Sequence, residues 1–362
     1  MPAAPLHRHP VLEADLTRVE ETLRGSVVTD DEFLTEVASH LIEAGGKRVR
    51  PLFSVACSAV TADTLARATD DAVRGGVSVE LVHIGSLYHD DVMDDATTRR
   101  TVQSVNARWG NLRAILAGDF LLARASEIAA SLGTDVAGLL AATIAKLCEG
   151  QVRELQTMFD PTRTEEAYLA SITGKTASLF AAACRIGAIV GDLERSQIDS
   201  VTTFGHHYGL AFQMVDDVLD VIATDEQLGK PAGNDLVEGV YTLPVIRAMA
   251  LPGGDELGEL LRQPLATTSA EAIARAAASS DGDPPADLVE PVPLGAPEVA
   301  RAREIARANG GVDSALESAR DQVGAAVAAL APFNGSEAAT ALAGAAEHLL
   351  TSVTDIAAAN HP

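Results

Sequence analysis

The chain is short of several residue types, and each shortage removes a class of protein. Three cysteines (Cys57, Cys148 and Cys184) scattered over 362 residues are too few for a disulfide framework or a zinc site, and they suit a reducing compartment. Aromatic residues make up only 4%, while hydrophobic residues make up 47%, dominated by alanine and leucine, which favours helix over sheet. No uninterrupted apolar run approaches the ~20 residues needed to cross a bilayer. The opening MPAAPLHRHPVLEADL has no signal-peptide core, so a soluble, cytoplasmic protein is expected. Basic residues are outnumbered 27 to 51, leaving a net charge of −24, which argues against broad nucleic-acid binding. Lysine is scarcest of the charged types: Lys47, Lys146, Lys175 and Lys230 only, three of them directly after glycine. A chain that otherwise uses arginine can keep a compact ammonium where a phosphate is gripped. No Ser-His-Asp, Cys-His or P-loop pattern is present, and no solenoid repeat.

What the chain has is acid in a pattern. His83 to Arg100 reads HIGSLYHDDVMDDATTRR, with Asp90, Asp91 and Asp94 spaced D-D-x-x-D at the end of an apolar helix. Helical geometry stacks Asp90 and Asp94 almost above one another, with Asp91 on their flank. Carboxylates this close repel, and hard divalent cations with oxygen ligands are their natural counter-ion. Arg99 and Arg100 follow at once, so a phosphate-bearing ligand could bridge metal and guanidinium. A lone motif of this kind reads most simply as a solvated helix end. A second copy, Asp216, Asp217 and Asp220, ends another apolar helix and shifts the balance.

Periodicity predicts helices over 12–44 (two), from Pro51 to about 70, and over 72–95, 114–132, 135–159, 164–191 and 194–222. Gly174-Lys175-Thr176 lies inside the helix 164–191, where a glycine costs about 1 kcal/mol and marks a kink or a close ligand approach. Gly45-Gly46-Lys47-Arg48-Val49-Arg50-Pro51 is a turn with three cations that could hold a diphosphate; an ordinary basic helix cap is the plain alternative. Residues 277–297 are acidic, proline-rich and aperiodic, and read as a flexible insertion. Helices resume at 298–332 and 336–358, and no alternation supports a sheet. The expectation is an all-α protein, one domain over 1–362, with two acidic helix ends facing a shared cavity in a large bundle. Such a site suits ionisation of a diphosphate ester, with a metal-assisted phosphohydrolase as the physical rival.

Five stretches, GGKRVRP, HDDVMDDATTRR, GKTASLF, FQMVDDVLD and GKPAGNDL, in that order over about 30–250, resemble the trans-isoprenyl diphosphate synthase (polyprenyl synthetase) family. The resemblance implies the isoprenoid synthase fold and condensation of isopentenyl diphosphate with an allylic diphosphate. It also implies about three Mg²⁺ ions, held by Asp90, Asp94 and Asp216, with Asp91, Asp217 and Asp220 supporting. Arg99, Lys175, Thr176, Gln213 and Lys230 would grip the allylic diphosphate. Lys47, Arg50, His83 and Arg100 would hold isopentenyl diphosphate, although a lone histidine on an apolar helix is more often a packed core residue. A homodimer is implied by the resemblance alone.

Gly85 and Ser86, one turn before Asp90, are small where short-chain members of the family place bulky aromatics, and Tyr88 lies on a different face. An open floor implies a long product, roughly C30 to C50 by family analogy, such as a quinone side-chain precursor, with geranylgeranyl diphosphate the runner-up. Where many relatives read GKxTLP, this chain has Gly239-Val240-Tyr241-Thr242-Leu243-Pro244 and so lacks the lysine. A non-catalytic subunit of a heteromeric synthase would be expected to lose one acidic motif. A terpene cyclase would have no second substrate for GGKRVRP and Arg100.

Overall fold

The computed structural model describes residues 5–228, 231–263 and 291–360. Helices α1 (Pro10–Ser26), α2 (Glu32–Glu43), α3 (Val49–Ser58) and α4 (Asp70–Met93) are followed by a two-residue ladder, β1 (Thr98–Arg99) with β2 (Val102–Gln103). Then come α5 (Val105–Trp109), α6 (Asn111–Ser131), α7 (Thr134–Leu155), α8 (Glu165–Ile172), α9 (Ser178–Val190) and α10 (Arg195–Ile222). Short α11 (Asp225–Leu228) and α12 (Asn234–Val237) lead to α13 (Leu243–Ala250) and a helix over 255–263, α14. The chain finishes with α15 (Ala296–Ala308), α16 (Gly311–Ala329) and α17 (Glu337–Asn360). The all-α expectation holds, and no helix among the described residues is long and apolar enough to cross a membrane.

The backbone groups into two compact units: Met1–Glu149, Thr173–Ala211 and Gln322–Ser352 in one, and Gly150–Ile172, Phe212–Asp321 and Val353–Pro362 in the other. In the first, α4 is the central element. Thr69 caps it by accepting from the Ala72 amide, Asp70 and Asp71 oppose the positive end of its dipole, and it is buried nearly all round. Phe53, Phe180, Phe204 and Tyr208 join α3, α9 and α10 in one aromatic cluster, with the Phe53 and Tyr208 rings 4.5 Å apart. Helices α3 and α9 meet backbone to backbone, because a Cβ on Gly187 would lie 2.0 Å from the Ser54 carbonyl oxygen.

Four expectations need correcting. The helix begun near Pro51 stops at Ser58, and 59–69 is irregular, tied down where Glu337 accepts from the Leu65 amide. The helix predicted over 164–191 is interrupted by a π-helical turn, Thr173–Ala177. The one predicted over 298–332 breaks at Asn309-Gly310, where Gly310 adopts φ +89°. A two-residue ladder, too short for any alternation, exists where no sheet was expected. Of the segment 277–297, residues 277–290 lie outside the described residues, and Ala296 and Pro297 already open α15.

Candidate active site

In the first unit, α4 ends at Met93 with Asp94 as its cap, so Asp90, Asp91 and Asp94 occupy its last turn. The three do not share one environment. Asp94 is exposed and Asp90 half-buried, whereas Asp91 is wholly buried and its Oδ1 accepts from Arg99 Nε at 2.6 Å. Burial pushes the Asp91 carboxyl up from its ordinary range, with Arg99 pulling it back, and Asp91 Oδ2 is buried without a hydrogen bond. Arg99 is aimed by the ladder: Arg100 and Thr101 form its two-residue turn with φ +51° and +66°, the pairing that gives a type I′ reversal. Neither residue is glycine, so this turn carries backbone strain of about 1–2 kcal/mol per residue.

The cations of the Gly45–Pro51 turn divide in the same way. Arg48, itself left-handed at φ +46°, is buried and pairs with Glu20 at 2.7 Å and Glu80 at 2.9 Å, so it holds the turn together and is not available to a ligand. Arg100 donates to the carbonyl oxygens of Leu41 (2.9 Å) and Gly45, closing the end of α2. Lys47 is exposed. Arg50 stacks its guanidinium 4.3 Å from the Phe180 ring; its Nε is buried without a hydrogen bond, and burial pushes its pKa down to about 10. His83 is half-buried in the field of Arg50, Arg100, Arg48 and Arg99, and desolvation together with those charges holds it neutral, well below its ordinary pKa.

Of the chain-length pair, Gly85 is packed against α6, where a Cβ would stand 3.1 Å from the Gly118 carbonyl oxygen. Its smallness therefore has a helix-packing cause. Ser86 is half-buried and donates to the His83 carbonyl at 2.9 Å. Tyr88 is buried and donates to the Val37 carbonyl at 2.7 Å. Lys175 (half-buried) and Thr176 (buried) lie in the π-helical turn, a distortion often found at functional sites.

In the second unit the last turns of α10 repeat the division. Asp216 is exposed, while Asp217 and Asp220 are buried. Asp217 accepts from the Tyr168 hydroxyl at 2.6 Å and from Gln213 Nε2 at 2.9 Å. Burial still pushes it up to about 7, against those two bonds. Asp220 accepts at Oδ2 from the Asp235 amide (3.2 Å) and at its carbonyl from the Gly233 amide (2.9 Å), so the following loop folds back on the helix end. Lys230 lies outside the described residues.

Three residues here carry no motif. Tyr168 aims Asp217. Arg163 is buried, donates to the Tyr241 carbonyl at 3.1 Å, and leaves Nε and one further nitrogen without hydrogen bonds. Phe159, at φ +56°, donates its amide to the Gly239 carbonyl at 2.8 Å, fixing the loop that holds Val240. A signal existed for Tyr168: tyrosine is rare, with four in the chain, and all four are buried.

Among the described residues no three His, Cys, Asp or Glu side chains gather into a metal cage. A hard divalent cation can be held by one or two carboxylates, with waters and substrate phosphates completing its shell. Asp90, Asp94 and Asp216 are the motif carboxylates not buried, and they fit that donor set.

A polyprenyl synthetase family model matches residues 31–278, and the chain belongs to that family, with the all-α isoprenoid synthase fold. It is 41% identical over 240 residues to heptaprenyl diphosphate synthase component 2 of Geobacillus stearothermophilus, covering 66% of this chain and 74% of that protein. It is 39% identical over 256 residues to nonaprenyl diphosphate synthase of Mycobacterium tuberculosis, covering 70% and 76%. The crystal structure of a polyprenyl synthase from Caulobacter crescentus, complexed with calcium and isoprenyl diphosphate, superposes with a TM-score of 0.81 at 32% identity, covering 97% of this chain and 99% of that one.

Proposed function

We propose that this chain is a magnesium-dependent, cytoplasmic prenyltransferase that condenses isopentenyl diphosphate with an allylic diphosphate into a long-chain polyprenyl diphosphate, a quinone side-chain precursor. The observation that carries the reading is the sorting of each aspartate run. Asp91 is buried and held by Arg99, Asp217 by Tyr168 and Gln213, and Asp220 by the Asp235 amide, while Asp90 is half-buried and Asp94 and Asp216 are exposed. A buried, hydrogen-bonded neighbour fixes the turn on which the accessible carboxylates are presented. Bound magnesium, held by Asp90, Asp94 and Asp216, would neutralise charge on the departing diphosphate.

The chain's own residues do the rest. Lys175 and Thr176 in the π-helical turn, with Arg99, Gln213 and Lys230, bind the allylic diphosphate and take up the negative charge that grows as its ester bond breaks. Lys47, Arg50, His83 and Arg100 orient isopentenyl diphosphate so that its double bond attacks the allylic carbon. His83 acts there as a neutral hydrogen-bonding imidazole, consistent with its depressed pKa. The proton lost from the adduct passes to the departing diphosphate. Ser86 helps set product length.

A homodimer is supported by an apolar face on the first unit. Leu112, Ile115 and Leu116 of α6 are 72%, 41% and 56% exposed, and Phe33 of α2 is 47% exposed. A second reading, a catalytic chain that needs a different partner component, is favoured by the similarity to a protein named as component 2. The purified chain, given Mg²⁺, isopentenyl diphosphate and farnesyl diphosphate, tests both. A long-chain product from the chain alone supports the first reading; product only on adding a cell extract supports the second; no prenyl transfer under either condition rejects both.

A further inference from the structure

We infer that Arg303 and Arg307, on α15, are positioning residues for the second aspartate run. The C-terminal segment beyond the family-matched stretch, which ends at residue 278, is then part of the active-site machinery.

The need arises from electrostatics. Helix α10 ends at Ile222, so Asp216, Asp217 and Asp220 sit in its last two turns. A helix C-terminus carries unsatisfied carbonyls and a partial negative charge, and carboxylates there are unfavourable unless cations are supplied. The first run has arginine close at hand, with Arg99 on Asp91. Near the second in sequence, residues 223–250 hold Lys230, which lies outside the described residues, and Arg247, which is engaged by Glu165 at 2.6 Å and by the Ser314 carbonyl.

Two cations reach this helix end from α15. Arg303 donates from Nε to the Val221 carbonyl at 2.9 Å and from its terminal nitrogen to the Ala223 carbonyl. Arg307 donates to the same Val221 carbonyl from Nε at 3.0 Å and from Nη2 at 2.7 Å. Gly233, at φ +79°, lets Arg303 lie across the returning loop: a Cβ there would meet Arg303 Cδ at 2.8 Å. The Gly233 amide in turn donates to the Asp220 carbonyl. Guanidinium groups, loop and aspartate helix end are one packed assembly. Arg301, on the same helix, pairs instead with Glu256 and Glu304 and serves as an internal control.

The inference rests on the prenyl transfer reading, and the test separates the two. Steady-state kinetics with Mg²⁺, isopentenyl diphosphate and farnesyl diphosphate are measured on the full chain and on three variants: Arg303→Met/Arg307→Met, Arg303→Lys/Arg307→Lys and Arg301→Met. Losing a group that orients metal ligands costs about 10–100-fold in activity or metal affinity. The Met double variant should lose at least about tenfold in kcat and need about tenfold more Mg²⁺ for half its maximal rate. KM for isopentenyl diphosphate should stay within about twofold. The Lys double variant should recover part of the loss, and Arg301→Met should match the parent. A second readout avoids turnover: the Tm rise produced by inorganic diphosphate with Mg²⁺ should shrink in the Met double variant and not in Arg301→Met. If the Met double variant loses folded protein, the Lys double variant alone decides, through its Mg²⁺ requirement against the parent. Parent-like Mg²⁺ dependence and kcat in folded variants would overturn the inference. An equal effect from Arg301→Met would also overturn it. A parent protein without prenyl transfer, alone or with cell extract, defeats the underlying reading itself.

Discussion

The Tyr168 hydroxyl donates to Asp217 Oδ2 at 2.6 Å, tying α8 to the acidic end of α10 through two buried side chains. Gln213 donates to the other oxygen of Asp217, and a carboxylate that loses a donor in a buried site turns or takes up a proton. Tyr168→Phe keeps the ring and removes the bond. We expect folded protein, a stability loss of about 1 kcal/mol and a kcat lowered about tenfold or more. Denaturant melts alongside initial rates check both; parent-like kcat would show that Asp217 does not depend on its tyrosine.

The sorting of the carboxylates predicts two kinds of failure from the same substitution. Asp90→Ala and Asp216→Ala remove groups that are not buried, so each should reduce kcat by at least about 100-fold with Tm almost unmoved. Asp91→Ala removes the buried partner of Arg99 and should lower stability by about 1–2 kcal/mol as well as activity, since Arg99 keeps partial access to water. Paired melting curves and rates decide. Near-normal turnover in Asp90→Ala or Asp216→Ala would reject their assignment as metal carboxylates.

The two aspartate runs, the glycine-lysine pairs and most helices were legible because each is a local pattern. Apolar periodicity fixed α4 and α10, and the i, i+1, i+4 spacing put three acids on one helix end. What escaped was contact between residues distant in sequence. Nothing near Arg48 says that it pairs with Glu20 and Glu80, since those partners lie on α1 and α4. Arg303 and Arg307 are 80 or more residues from the carbonyls they cap, across a stretch that includes the aperiodic segment 277–297. The π-helical turn at Thr173–Ala177 left only a hint, the glycine within a helical pattern. The smallness of Gly85 was legible, but its cause was not, because only the approach of α6 reveals it.

Gly85 and Ser86 should consequently behave differently when enlarged. A phenylalanine at Gly85 must displace α6, and overpacking of this kind costs about 1–3 kcal/mol. Gly85→Phe should therefore lower Tm along with activity and give no clean reading of product length. Ser86 is half-buried with only a backbone bond to lose, so Ser86→Phe should fold and shift the product toward shorter chains. Chromatography of the dephosphorylated products, with Tm measured on the same samples, separates the two effects. Unchanged chain length in folded Ser86→Phe would place the floor elsewhere.

Burial of His83, reinforced by the four guanidinium groups around it, sets the direction of an acid dependence. In the folded chain His83 is held neutral well below its ordinary pKa, while in the unfolded chain it titrates near the usual ~6.5. Between those two values the unfolded state binds more protons than the folded one, so stability falls as pH drops through that window. Above about pH 6.5 both states are neutral at this position and its contribution is constant. His83→Gln preserves hydrogen-bonding capacity and cannot charge. Chemical denaturation at intervals from pH 7.5 down to 5 should show the parent losing stability faster than His83→Gln, with the two curves parallel above pH 7. Parallel curves throughout would mean that the imidazole takes its proton equally well in both states, and that neither its burial nor the surrounding arginines govern it.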